Sequence, residues 1–259
     1  MNGLLSRIVQ LGLEVAPAVV AAILAITLHE SAHGYAALAL GDDTARRAGR
    51  LSLNPLRHVD RVGTILLPGF LLIAQLLTVG RVLFMFGWAK PVPVSAWKFH
   101  DPRRGMMLVA AAGPLMNFCL AWLGAALLPR AEVGITGIDA YLDAVLSQHP
   151  IYGTFLFYFI LTNLVLGLFN LIPIPPLDGG RIAVGLLPIR LARAWAQLER
   201  AGIVVVLLVV FVLPSLLGEF GIRFDPFHQV LGNVVPWAIN VLLTLSGHHL
   251  GPSVHEQFL

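Results

Sequence analysis

The stretch ILAITLHESAHGYAALAL, residues 23–40, combines a long apolar run with three ionisable side chains, His29, Glu30 and His33. Histidines four positions apart on a helix lie on the same face, so both imidazoles can reach one ion at about 2.0–2.1 Å. Glu30 follows the first histidine and can reach a water beside that ion. Ionisable groups within a membrane span cost roughly 2.5–3.5 kcal/mol each, which indicates a functional use. We therefore interpret this HExxH pattern as a zinc site with an adjacent base.

The composition places this helix in a lipid bilayer. Hydrophobic residues make up 57% of the 259-residue chain and charged residues only 12%, and the mean hydropathy is +0.81. Soluble domains carry roughly twice that share of charged residues. The net charge of +3 could indicate a nucleic-acid partner, but the basic residues lie between apolar segments rather than along one exposed face. The sequence thus predicts an integral membrane protein with no nucleic-acid partner.

The apolar runs predict about five to six transmembrane helices, because a helix needs about 20 apolar residues to cross the hydrocarbon layer. They fall at roughly 9–40, 62–86, 105–128, 151–176, 201–218 and 227–246. We expect an all-α polytopic membrane protein with a single domain over residues 1–259. Its catalytic core should span about 16–182 and its C-terminal helices about 183–259.

The distribution of positive charge predicts which side of the membrane the loops face. Residues 41–104 contain ten of the 17 Lys and Arg residues, whereas residues 129–150 contain only Arg130. Basic loops stay on the cytoplasmic side, so residues 41–104 should be cytoplasmic. The end of the first helix, and with it the HExxH pattern, should therefore lie towards the cytoplasm.

The run 62–86 has basic residues on both sides, so it should leave the membrane on the side where it entered. The flanking segments 49–55 and 86–94 have the alternation and the prolines of short edge strands. Irregular backbone at membrane depth is tolerated where it lines protein or a water-filled cavity. We predict a small re-entrant element with β-like ends after the first helix.

A second group of functional residues lies in LFNLIPIPPLDGGRI, residues 168–182, where Asp178 follows a proline cluster and precedes two glycines. Prolines cannot continue a helix and glycines permit tight backbone geometry, so the helix should break here and let Asp178 turn inward. On its own, this segment could equally be an Asp-Gly turn that leaves the membrane. Together with His29 and His33, however, Asp178 would complete two histidines and a carboxylate, which leaves a fourth zinc position for water, as in catalytic sites.

With these motifs the sequence resembles the site-2 protease family of intramembrane zinc metalloproteases. The family pattern of HExxH in one span and NxxPxxPLDGG in a later one occurs at residues 29–33 and 170–180. The segments AGRLSLNPLRHVDRVGT (48–64), FGWAKPVPV (86–94) and AAGPLMN (111–117) are similar to the compact subgroup without a PDZ or other appended domain. The resemblance covers roughly residues 20–200.

The resemblance implies a three-helix catalytic core in a multi-pass protein of a prokaryotic cell membrane. It implies one Zn²⁺ per chain held by His29, His33 and Asp178. Glu30 would be the general base, and the substrate would be a transmembrane protein cut near the cytoplasmic side. Asn170 and Asn117 match family asparagines that are expected to bind the substrate backbone or the oxyanion.

Two other functions remain open on the sequence alone. A metal or proton transporter also uses intramembrane His, Glu and Asp, but it would distribute them along a track on several spans. An inactive protein that binds membrane helices would have no need for Glu30 beside the metal ligands. The predicted function is therefore a zinc endopeptidase that acts on membrane proteins within the lipid bilayer.

Overall fold

The computed structural model describes residues 2–78, 80, 87–130, 138–198, 202, 204, 208, 212–221 and 230–248. Within these residues the chain is helical and contains no strand, which confirms the predicted all-α class. The helices are α1 (Asn2–Ala39), α2 (Thr44–Arg47), α3 (Leu67–Thr78), α4 (Pro102–Leu127), α5 (Ile138–Gln148), α6 (Pro150–Asn170), α7 (Asp178–Leu186), α8 (Ile189–Gln197), α9 (Leu213–Glu219) and α10 (Val235–Leu245).

Three helices are long and apolar enough to cross a membrane: Val15–Ala39 of α1, Pro102–Leu127 of α4 and Pro150–Asn170 of α6. Each of these packs against the other two. Shorter apolar helices cover Arg61–Gln75 and Gly232–Leu245. The three long helices form the core expected from the sequence, and the total of five to six spans stays a prediction.

Small residues let the core helices approach closely. The buried face of α4 contains Gly113, Ala121, Gly124 and Ala125. A methyl group built on Gly124 would lie 2.9 Å from Ile160 of α6, nearer than carbon atoms normally approach. Lipid tails are as apolar as the side chains, so burial of apolar surface contributes little to the association of membrane helices. These helices associate through close packing instead.

The segment before α3 begins as a π-helix over Arg61–Leu66, which Asp60 caps by accepting hydrogen bonds from the backbone N–H groups of Val62 (2.9 Å) and Gly63 (2.7 Å). The chain returns to this point at Trp88, whose N–H donates to the carbonyl oxygen of Gly63 (3.1 Å). A side chain at position 63 would overlap the Trp88 indole ring. The two ends of the predicted re-entrant element are therefore neighbours in space.

The strand-like ends predicted for this element are not strands. Residues 49–54 and 87–94 are irregular, Pro55 begins a 3₁₀-helix, and residue 86 lies outside the described part of the chain. Lys90 donates its N–H to His58 (2.8 Å), but Pro91 and Pro93 have no N–H to give. Alternating prolines thus prevent the continuous ladder that a β-hairpin requires.

Candidate metal centre

Three side chains from two distant segments meet at one point. The Nε2 atoms of His29 and His33 lie 3.1 Å apart, and Oδ2 of Asp178 lies 3.2 Å from each of them. His29 and Asp178 are buried, and His33 is partly buried. This is the set predicted from the sequence, and its geometry could hold one metal ion.

The helical repeat of α1 explains the two histidines, because residues four apart lie one turn above each other on one face. Asp178 comes from a segment far along the chain, as the first residue of α7. The helix break predicted after α6 occurs, but Asp178 begins a new helix instead of lying in an unwound segment. A side chain at Gly179 would overlap the carbonyl oxygens of Leu171 and Ile172, so glycine lets α7 start against this loop.

The protonation of His33 follows from its partner. Its Nδ1 lies 2.7 Å from the backbone carbonyl oxygen of Val109 in α4. A carbonyl oxygen can only accept, so Nδ1 of the neutral ring carries the hydrogen and Nε2 keeps its lone pair. That lone pair points towards Asp178.

The chemistry of these atoms fits a metal ion. Oδ2 of Asp178 is buried and has no hydrogen-bond donor. The two imidazole nitrogens beside it are acceptors if each ring is protonated at Nδ1, so the three atoms repel one another unless a cation lies between them. Buried polar atoms without partners cost free energy, and a divalent cation removes this cost.

Gly113 forms the wall of the site on the α4 side. A methyl group at this position would lie 2.5 Å from Nε2 of His33 and 2.6 Å from Cε1 of His29. No side chain fits there while both rings keep their positions. The AAGPLMN segment was singled out in the sequence, but only the packing of α4 on α1 reveals what its glycine does.

Glu30 follows His29 directly in α1 and is not one of the three converging side chains. Its Oε2 accepts a hydrogen bond of 3.1 Å from the backbone N–H of Val92. Residues one apart on a helix differ by about 100° in direction, which aims Glu30 away from the line of the two histidines. The carboxylate is therefore oriented by the loop that follows the predicted re-entrant element.

Asp42, just after α1, fastens this loop. Its fully buried carboxylate accepts hydrogen bonds from the N–H of Ser95 (2.6 Å) and of Thr44 (2.9 Å), and Lys98 lies 3.2 Å away. Burial alone would raise the pKa of Asp42, but these donors outweigh it and lower the pKa to about 2. No pattern in the sequence predicts this contact, because it joins residues far apart in the chain.

The two asparagines singled out in the sequence lie in different surroundings. Asn170 ends α6, is partly buried, and donates to the carbonyl oxygen of Leu166 in its own helix (3.0 Å). Asn117 is fully buried behind His29, with its Oδ1 2.5 Å from Nδ1 of His29 and its Nδ2 donating to Asn163. Asn117 contacts Nδ1 of His29, on the opposite side of the ring from Asp178. This position favours a role for Asn117 through His29 rather than through contact with substrate. Asn163 was missed, although an amide inside an apolar run is itself a signal.

Comparison with known proteins identifies relatives of this chain. The family model of Peptidase family M50 matches residues 17–213. YwhC of Bacillus subtilis (strain 168), named as a candidate zinc metalloprotease, is 41% identical over 196 residues, which are 76% of this chain and 80% of that protein. Rip2 of Mycobacterium tuberculosis (strain H37Rv), named in the same way, is 32% identical over 199 residues, or 76% of this chain and 67% of that protein. No solved structure matches the chain.

Proposed function

This chain belongs to Peptidase family M50, and from that membership we propose that it is an intramembrane endopeptidase that hydrolyses a peptide bond in or near a transmembrane helix of another protein. Family membership makes it a zinc metalloprotease, and its apolar helices make it a membrane protein. The observation that carries the proposal is the convergence of His29, His33 and Asp178, with Glu30 outside that group and next to His29 in the same membrane span.

In this proposal His29, His33 and Asp178 hold the zinc ion through Nε2, Nε2 and Oδ2. Zinc bound there would polarise the scissile carbonyl and make the attacking water more acidic. His29 and Asp178 are buried and His33 is partly buried, so each charge in the site acts more strongly than it would in solvent.

Glu30 is the proposed general base. It takes a proton from the water as the water oxygen bonds to the scissile carbon, and it delivers that proton to the amide nitrogen as the carbon–nitrogen bond breaks. The Val92 N–H holds one carboxylate oxygen of Glu30, which limits its rotation and leaves the other oxygen for this transfer.

The substrate must present an exposed peptide bond, and the carbonyls of an intact transmembrane helix are already hydrogen-bonded within that helix. A substrate helix therefore has to unwind locally before it is cut. Asn170, near the protein surface at the end of α6, is the proposed contact for the freed substrate backbone. From the charge distribution, the cut lies towards the cytoplasmic face of a prokaryotic cell membrane.

The arrangement of ionisable groups favours a protease over a transporter. Among the described residues, metal-ligating side chains converge at one place only. A transport path would need further ligands at other depths of the membrane. An inactive helix-binding protein, by contrast, would have no proton for Glu30 to transfer.

The test is Glu30→Gln in the purified full-length chain, reconstituted with a single-span membrane substrate. Glutamine keeps the shape and the Val92 hydrogen bond but cannot accept a proton, so cleavage should fall by about 10²–10⁴-fold. Zinc content, measured by mass spectrometry of the metal, should stay at the wild-type level. Glu219→Gln makes the same chemical change on an exposed side chain of α9 and should cut at the wild-type rate.

Absence of cleavage by zinc-loaded wild type, across a panel of single-span substrates, would contradict the endopeptidase proposal. Cleavage by Glu30→Gln at the wild-type rate would be consistent with the endopeptidase proposal but would exclude Glu30 as the general base.

A further inference from the structure

We propose that Asn163 is a positioning residue, which acts through Asn117 to fix His29 in the one neutral form that can bind a metal through Nε2. This inference rests on the proposed ligand role of His29. It assigns a part to a residue on α6 whose side-chain hydrogen bonds go to Asn117 and Phe159.

The contacts form a single buried line across the three core helices. The Nδ1 atom of His29 in α1 lies 2.5 Å from Oδ1 of Asn117 in α4. The Nδ2 atom of Asn117 lies 2.8 Å from Oδ1 of Asn163 in α6. The Nδ2 atom of Asn163 lies 2.8 Å from the carbonyl oxygen of Phe159, one turn earlier in α6. Both asparagines are fully buried, so water cannot replace any of these partners.

The direction of every hydrogen bond in this series follows from its last acceptor, the carbonyl oxygen of Phe159. The oxygen of Phe159 is a backbone carbonyl and can only accept, so Asn163 must turn its NH₂ group towards it. The side-chain oxygen of Asn163 then faces Asn117, so Asn117 must donate a hydrogen bond to it from its own NH₂ group. The oxygen of Asn117 is left facing His29, whose Nδ1 must therefore carry the hydrogen.

A neutral imidazole with hydrogen on Nδ1 has its lone pair on Nε2, the atom that lies beside Asp178. The other neutral form would turn an N–H towards the metal position and could not act as a ligand there. His33 reaches the same state directly, through the carbonyl oxygen of Val109. Both histidines are thus held with hydrogen on Nδ1. The backbone carbonyl of Val109 does this for His33, and the side-chain amides of Asn117 and Asn163 do it for His29.

The simpler alternative is that the two asparagines merely satisfy each other within an apolar core. Polar side chains commonly join membrane helices in this way, with no influence on a ligand. We call the proposed action of Asn163 on His29 through Asn117 the relay. Only the relay makes zinc affinity depend on which end of the Asn163 side chain faces Asn117.

The experiment compares zinc affinity of the full-length chain with that of Asn163→Leu and Asn163→Asp, by competition with a chelator of known affinity. Leucine removes the acceptor, so Asn117 can turn its NH₂ group to His29, and zinc binding should weaken by about 10- to 100-fold, as for other groups that orient metal-binding histidines. Aspartic acid restores an oxygen for Asn117, and in its protonated form it also donates to Phe159. It should recover most of the affinity.

A matched control is Gln75→Leu, which deletes a buried amide of α3 whose Nε2 donates to Leu71 in its own helix. Its zinc affinity should equal that of wild type. Nitrogen NMR of ¹⁵N-histidine in the zinc-free chain supplies a second readout, with His29 assigned by its loss in His29→Ala. Wild type should show hydrogen on Nδ1 of His29, and Asn163→Leu should show a mixture of both neutral forms.

Wild-type affinity in Asn163→Leu, or equal weakening in Asn163→Leu and Asn163→Asp, would overturn the relay and leave the asparagines as helix packing. Such results would not touch the proposed function, since wild type would still bind zinc. A wild-type chain that binds no zinc would instead contradict the proposed function itself.

Discussion

At the scale of single residues, the ligand set and its surroundings differ in how far the sequence reveals them. The two histidines follow from the helical repeat, because residues four apart lie on one face of a helix, and Glu30 points about 100° away from His29. Asp178 is predicted as a ligand from the PPLDGG segment, in which prolines and glycines surround it. Gly113 and Asn163 could not be found in this way, because their roles arise from contacts between residues that are far apart in the chain.

Replacement of Asp178 by alanine should lower zinc occupancy, because it removes the only anionic atom among the three converging ones. Metal analysis of the purified variant measures this directly. His29→Ala and His33→Ala should show the same direction of change. Full zinc content in Asp178→Ala would exclude this residue as a ligand.

Gly113→Ala should also reduce zinc binding, although it adds a single methyl group. That methyl group would occupy the space of the two imidazole rings, and closely packed interiors typically respond to such overlap with shifts that cost about 1–3 kcal/mol. Gly218→Ala is a suitable control, since no atom of the described residues lies within 4 Å of a methyl group there. Equal zinc affinity in the two variants would show that α4 can move away without consequence.

At the scale of elements, the loop of residues 87–98 connects the predicted re-entrant element to the site. One end is held at Gly63 by Trp88, and the other is held at Asp42 by Ser95. The Val92 N–H that orients Glu30 lies between these two attachments. Alternation and prolines in the sequence suggested strands here, but the same prolines interrupt the ladder, so the segment is fixed by side chains and isolated backbone hydrogen bonds.

The attachment at Asp42 should depend on pH in a defined window. The pKa of Asp42 falls from its ordinary value of 3.8 to about 2 in the folded chain, so the ionised carboxylate stabilises the fold. This contribution is fully present above pH 3.8 and is lost as the pH falls through about 2. The difference in free energy of unfolding between wild type and Asp42→Asn should therefore be constant at higher pH and shrink over this range. Denaturation in detergent at a series of pH values measures it, and a gap that widens on acidification would contradict the assigned sign.

At the scale of the whole molecule, the three long helices were predictable from hydropathy alone, because length and composition decide whether a helix can cross a bilayer. The packing of α4 against α1 and α6 was not predictable, since it depends on small residues whose partners lie on other helices. Because α5 and α10 pack on α6 as well, we propose that residues 1–259 form one domain, as predicted.

Labelling of single cysteines should place positions 54 and 98 on the same side of the membrane. Asn54 and Lys98 are exposed and flank an element whose two ends meet at Gly63, which is the arrangement that a re-entrant segment needs. The measurement uses Cys119→Ser as background, because Cys119 is itself exposed. Labelling from opposite sides would mean that residues 62–86 cross the membrane completely.

The hydrogen-bond directions around the two histidines have a final consequence for the net charge of the site. Both imidazoles are neutral when they bind a metal, so they add no charge to it. A divalent cation together with the carboxylates of Asp178 and Glu30 then sums to zero. A cluster of ions without net charge is far less costly to hold in a low-dielectric membrane than any one of its members. Glu30 supplies its negative charge from outside the ligand set, so Glu30→Gln changes the net charge of the site while the three atoms proposed to hold the metal stay in place.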